Sequence, residues 1–220
     1  MQAMILAAGL GKRMLPLSNT IPKPLLPVRG QPLIAHLLQS LKKNGVQKVV
    51  INVHHLKEQI KNFLENGSSY GMEILYSEEK ELLETGGGIL NALPLLDNAP
   101  FIVVSADIYS EYPFASLPPA LSGLAHLVLV DNPPFNLKGD FVLQGRQISL
   151  AGDNPLTYAS IGIFKKEFFN DPPGTVFPLN FLFTRAIKNN LITGEHFAGV
   201  WHNIGTIDLL HAAQGIKNEQ

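Results

Sequence analysis

The stretch Met4-Ile-Leu-Ala-Ala-Gly-Leu-Gly-Lys-Arg-Met-Leu-Pro-Leu17, followed by Pro22-Lys-Pro-Leu-Leu-Pro27, decides the fold. The apolar run from Ala3 to Ala8 stops at Gly9. An unbroken apolar run of this kind predicts a strand buried on both faces, as in a parallel sheet. Gly9 and Gly11 then let bare backbone N–H groups approach oxygen atoms, while Lys12 and Arg13 supply charge. Lys23, held between prolines, adds a third cation. A strand that fixes a glycine loop beside clustered cations is suited to a polyphosphate. The spacing is neither that of a Walker A loop nor Gly-x-Gly-x-x-Gly, since position 14 is Met. By itself Gly-x-Gly after a strand reads equally well as a tight turn; Arg13 and Pro22-Lys23-Pro24 favour the functional reading.

Outward from this loop, apolar residues alternate between strand and helix spacing. Leu33, Ile34, Leu37, Leu38 and Leu41 recur at helical intervals before Gly45. Val49–Val53 predicts a strand, Leu56, Ile60, Phe63 and Leu64 a helix, and Met72–Tyr76 a strand. Ile89–Leu96 predicts a helix and Phe101–Val104 a buried strand leading to Asp107. This alternation predicts an α/β fold, a doubly wound, mostly parallel, Rossmann-like sheet. Ligands in such sheets sit beyond the carboxyl ends of the strands, where Gly9–Arg13, His54-His55 and Asp107 all arrive. Adjacent residues on a strand point to opposite faces, so His54 and His55 predict structural or nucleotide-lining roles rather than a two-histidine metal site.

The second half reads as an antiparallel elaboration. Leu124–Val130 is apolar, Asp140–Leu150 alternates around Gln144-Gly-Arg146 like a hairpin, and Thr157–Phe164 predicts a strand. Leu179–Ile187 predicts a helix and Phe197–Trp201 a late strand. With no linker or internal repeat, the expectation is one domain over residues 1–220.

Totals narrow the function class. Hydrophobic residues make up 45% and charged residues 16%, against the charge-rich profile of disordered chains. With 17 basic and 18 acidic residues the net charge is −1, which argues against a broad nucleic-acid face. No cysteine is present, so disulfides, thiolate nucleophiles and thiolate metal sites are excluded. No basic n-region precedes the first apolar run, and no stretch reaches the roughly 18 apolar residues of a membrane span. The expectation is a cytoplasmic enzyme with no membrane or nucleic-acid partner; oligomeric state stays open, a monomer being compatible.

Gly9, Gly11, Arg13, Pro16-Leu17 and Pro22-Lys-Pro-Leu-Leu-Pro-Val28 together resemble the signature of the sugar-1-phosphate nucleotidyltransferases. Glu84-Thr-Gly-Gly-Gly88 resembles that family's nucleotide-side loop, and Ser105-Ala-Asp107 the place of its metal-binding aspartate. Leu83–Ile89, Gly123–Pro133 and Gly139-Asp-Phe141 resemble the short branch that uridylylates N-acetylmuramate 1-phosphate in cell-wall (peptidoglycan) recycling. The resemblance implies attack of a sugar 1-phosphate on the α-phosphorus of a nucleoside triphosphate, with pyrophosphate leaving. It implies Arg13 and Lys23 as catalytic groups, and Leu6, Ala7, Ala8, Gly9, Gly11, Lys12 and Gly87 on the nucleotide. It further implies Glu84, Thr85, Asp140 and Ser160 as substrate-binding residues, and Mg²⁺ at Asp107 and Asn203. The bland alternatives are a solvated loop cation for Lys23, a helix cap for Asp107, and a surface carboxylate for Glu84. For Gly86–Gly88 the choice is between a flexible turn and close backbone approach to a ligand.

Two positions depart from the family pattern. A second metal-binding aspartate is usual in a late W-x-D-x-G-T motif, but here Trp201-His-Asn-Ile-Gly-Thr206 carries Asn203. Ala159-Ser-Ile161 has serine where a glycine is usual. The alternatives are therefore guanylyl transfer to mannose 1-phosphate, thymidylyl transfer to glucose 1-phosphate, or a nucleotide-sugar sensor without turnover.

Overall fold

The computed structural model describes residues 1–215. Nine strands form one sheet: β1 (Gln2–Leu6), β2 (Lys48–Val53), β3 (Glu73–Glu78), β4 (Phe101–Ser105), β5 (Ala125–Val130), β6 (Val142–Gln144), β7 (Gln147–Ser149), β8 (Thr157–Phe164) and β9 (Ile192–His196). Their spatial order is β3-β2-β1-β4-β8-β5-β9-β7-β6. β1 lies between β2 and β4, parallel to both, and β3 extends the parallel set beyond β2.

The helices are α1 (Leu33–Lys43), α2 (Lys57–Leu64), α3 (Glu84–Ala92), α4 (Asn180–Lys188) and α5 (Ile207–Gln214). One sheet face packs Ala3, Ile5, Val49 and Ile51 against Leu38 and Leu41 of α1 and Ile60 of α2. The other packs Met4, Val50 and Val103 with Ile89 of α3 and Leu182 and Phe183 of α4. Both faces of the central strands are thus buried, which is why they read as unbroken apolar runs rather than alternations. The chain builds β1, β2 and β3 outward on one side and then crosses back to place β4 on the other side of β1. This reversal opens a crevice at the carboxyl ends of β1 and its neighbours.

The doubly wound expectation holds, and the second half continues the same sheet. β8 runs antiparallel to both β4 and β5, while β9 returns parallel to β5. β6 and β7 form the expected hairpin, with Gln144 opposite Gln147.

Three local expectations change. The late strand is not Phe197–Trp201 but two strands either side of it, β9 and Trp201–Asn203, the latter antiparallel to Ile108–Ser110. Ile192-Thr-Gly-Glu-His196 has only one aliphatic residue, and a Cβ on Gly194 would lie 2.5 Å from Ile148, so packing rather than apolar pattern makes this strand. The third helix starts at Glu84, not Ile89, and takes Gly86–Gly88 into its body. Added Cβ atoms there would lie 2.4 Å from the Phe177 ring, 2.2 Å from the Thr175 carbonyl and 2.6 Å from the Glu79 carboxylate. Close packing, not turn flexibility, therefore demands the three glycines. Finally, α5 had no counterpart in the sequence reading. Its Leu210 and Ala213 join Met14, Val28 and Leu33 in a small core beneath the glycine loop.

Candidate active site

A cavity of about 430 Å³ opens above the carboxyl ends of β1 to β4. Its walls include Leu6, Ala7, Ala8, Gly9 and Gly11 from the first loop, Asn52 at the end of β2, Glu79 just after β3, and Ser105–Asp107 after β4. Lys12, Arg13 and Lys23 bring positive charge to it, and Glu84 and Thr85 close the side formed by α3. The loop is fixed from below. Met14 is fully buried, Gly11 sits at φ 61°, and the Ser18 hydroxyl donates to the Gly11 carbonyl at 2.9 Å. With its apolar anchor pointing inward, the turn leaves Lys12 and Arg13 exposed at the cavity.

Lys23 Nζ donates to Asp107 Oδ2 at 2.5 Å. These side chains are only 14% and 23% exposed, so the pair is partly desolvated and faces the cavity. Asn203 lies beside Asp107, since Asn203 pairs with Ile108 across the short antiparallel ladder and the Ile204 N–H donates to the Asp107 carbonyl at 2.8 Å. Asn203 Oδ1 is buried and accepts no hydrogen bond. A buried acceptor without a donor is costly and a cation would satisfy it, but unlike Asp107 the predicted ligand Asn203 lines neither cavity. One carboxylate and one amide oxygen are hard donors of the kind Mg²⁺ prefers. Among the described residues no group of three His, Cys, Asp or Glu side chains is arranged for a metal. The remaining ligands of any ion here would be phosphate oxygens or water.

A second cavity of about 220 Å³ adjoins the first through the shared Leu6, Thr85 and Ser105. It is lined further by Tyr158, Ser160, Leu179, Asn180 and Phe183. Ser160 has φ 56°, within an irregular step of the β8–β5 ladder between Tyr158 and Gly162. That irregularity brings a serine side chain to the cavity. Burial raises the pKa of the Tyr158 hydroxyl.

The structure does not bring every predicted residue to a cavity. Gly87 is buried in α3, and its N–H donates to the Phe177 carbonyl at 3.1 Å, so close packing replaces the expected ligand contact. Asp140 lines neither cavity; its carboxylate accepts the Tyr158 N–H at 2.9 Å and the Asn136 amide at 3.1 Å. It supports the second cavity from behind. Ala7 reaches the first cavity, but its N–H is already held by Asn52 Oδ1 at 2.8 Å. His54 and His55 are structural, pairing with the carbonyls of Glu79 and Ser18.

Sequence reasoning missed Asn52, Glu79 and Tyr158. A signal existed for Asn52, a polar residue interrupting Val49-Val50-Ile51-Asn52-Val53 in a buried strand. Glu79 lies in the acidic cluster Glu78-Glu79-Lys80-Glu81, where nothing marks one member as buried.

Fold and site together define a nucleotide-handling α/β protein. The nucleotidyl transferase family model matches residues 2–122, and the chain belongs to that family. It is 42% identical to an N-acetylmuramate alpha-1-phosphate uridylyltransferase of Neisseria meningitidis, over 98% of each chain. It is 33% identical to the enzyme of the same name from Caulobacter vibrioides, over 92% of this chain and 91% of the other. The fold matches HddC from Yersinia pseudotuberculosis, solved with GMP-PN, with a TM-score of 0.78 over 97% of both chains at 22% identity.

Proposed function

We propose that this protein transfers a uridylyl group from UTP to N-acetylmuramate 1-phosphate. The observation that carries the reading is the Lys23–Asp107 pair facing the glycine loop across one cavity, with a second cavity alongside. The sugar phosphate is already anionic near neutral pH, so no general base is needed. One of its oxygens forms a bond to the α-phosphorus, the bond from that phosphorus to its bridging oxygen breaks, and pyrophosphate leaves. Positioning and charge neutralisation carry such a reaction.

In this reading Lys12 and Arg13 cover the triphosphate and the backbone around Ala8, Gly9 and Gly11 lines the nucleotide. Lys23 leaves Asp107 to meet the α-phosphate and the incoming phosphate together. Asp107 and Asn203 hold Mg²⁺, which when bound neutralises phosphate charge. Ser160, Thr85 and Tyr158 face the sugar, and Glu84 borders the nucleotide side. Two strongly similar relatives that carry the uridylyltransferase name support this choice of substrates. Cell-wall recycling follows from the acceptor. No helix of the described residues is long and apolar enough to cross a membrane, and we place the reaction in the cytoplasm. We also propose that the chain works as one domain over residues 1–220.

The test is pyrophosphate release with Mg²⁺ across UTP, GTP, dTTP and ATP, each with several sugar 1-phosphates, and with Asp107→Ala as control. Turnover confined to UTP with N-acetylmuramate 1-phosphate is expected. Turnover on GTP with mannose 1-phosphate replaces the substrates but keeps the mechanism. Nucleotide binding without turnover on any pair overturns the enzymatic reading.

A further inference from the structure

We infer that Asn52 and Glu79 act as a pair of positioning residues that hold the two walls of the nucleotide cavity in register, and so set nucleotide affinity. The inference rests on the proposed nucleotide site in the first cavity. Both side chains are buried, at 3% and 4% exposure, and both line that cavity. Asn52 Oδ1 accepts the Ala7 N–H at 2.8 Å, at the head of the glycine loop. Asn52 Nδ2 donates to Glu79 Oε1 at 2.7 Å. Glu79 Oε2 in turn accepts the Leu83 N–H at 3.1 Å, at the start of α3.

The chain Ala7–Asn52–Glu79–Leu83 therefore crosses the cavity floor and ties the glycine loop to the wall that carries Glu84 and Thr85. Burying a carboxylate is costly, and no cation is bonded to Glu79 among the described residues. What stabilises it is this set of hydrogen bonds to N–H donors. Gly88 fits the same purpose, because a Cβ there would lie 2.6 Å from Glu79 Oε1 and 2.7 Å from Asn52 Nδ2.

The arrangement allows a test by exchange of donors and acceptors. In Glu79→Gln a single oxygen faces two donors, the Asn52 amide and the Leu83 N–H. In Asn52→Asp two carboxylates meet across the former 2.7 Å hydrogen bond. In the double variant Asn52→Asp/Glu79→Gln, the new carboxylate at position 52 accepts from the Ala7 N–H and from the new amide at position 79. The oxygen of that amide accepts from the Leu83 N–H. Every bond of the chain is restored, with one contact reversed in direction.

The measurement is the KM of each substrate, with UTP, GTP, dTTP and ATP tried on the wild type first, alongside melting temperatures without ligand. Each single variant is expected to raise the nucleotide KM about tenfold, the effect of losing one charge-assisted hydrogen bond, with the sugar-phosphate KM little changed. The double variant is expected to recover most of that loss. Singles that melt earlier yet keep the wild-type nucleotide KM overturn the inference, as does a double variant no better than the worse single. If a single variant does not fold, the double variant alone decides. A wild type that turns over none of the four triphosphates fails the nucleotide reading itself, and the inference falls with it.

Discussion

Lys23→Met removes the ammonium that partners Asp107. The two groups are 2.5 Å apart and more than three-quarters shielded from water. Exposed pairs contribute about 0–1 kcal/mol, while stripping one partner from a fully buried pair costs about 3–5 kcal/mol. Partial burial places this loss between those limits, at about 2 kcal/mol. For a chain of this size that lowers the melting temperature by about 4–8 °C. The lone carboxylate left behind faces the cavity, so Mg²⁺ can replace the missing cation. Adding Mg²⁺ is therefore expected to return part of the lost stability in the variant and to raise the wild type less. Turnover is expected to fall by about 10²–10³, the scale of losing one group that meets developing charge on the reacting phosphate. Thermal melts with and without Mg²⁺, paired with pyrophosphate release, read both halves. A variant that melts with the wild type and keeps its turnover refutes the reasoning. A destabilised variant that ignores Mg²⁺ refutes Asp107 as the ligand.

Other perturbations follow from particular contacts. Ser160→Gly relieves a serine at φ 56° and is expected to raise stability by up to about 1 kcal/mol in a urea melt, while loosening sugar selectivity. Gly86→Ala drives a methyl group to 2.4 Å from the Phe177 ring and is expected to cost about 1–3 kcal/mol; an unchanged urea midpoint would show that α3 can move away. The His126 ring, its Nε2 3.6 Å from Glu195 Oε2, holds the Glu195 carboxylate below its ordinary value of 4.5, with further help from Tyr112, whose hydroxyl donates to it. A lowered carboxylate pKa adds stability above its unfolded value, and this is lost as pH falls through the folded one. The stability gap between wild type and Glu195→Gln should thus be full at neutral pH and shrink below about pH 4.5. A gap that is flat across a urea series at falling pH contradicts that role.

Legibility differed between local and long-range features. β1, the glycine loop, α1 and β2 were readable because each writes its environment into consecutive residues: apolar runs for two-sided burial, helical spacing for one-sided burial, and glycine where backbone must be bare. Thr157–Phe164 was readable for the same reason. The glycines of α3 misled because low helix propensity was overridden by contacts with Phe177 and Thr175, some ninety residues away in sequence. α5 was missed because its buried residues, Leu210 and Ala213, pack into a small core with Met14, Val28 and Leu33, which lie far away in the sequence.

By itself the sequence determined the sheet class, the glycine loop and the cations around it, since neighbouring residues carry all three. Only the tertiary structure decided that Asn52 and Glu79 share one hydrogen bond and that Asp140 works behind Tyr158. It also decided that Gly87 is a packing residue and that Asn203 pairs with Ile108, next to Asp107, across a short ladder. Those relations join residues far apart in the chain, and hydrogen bonding and close packing act on distance in space, which no local pattern records.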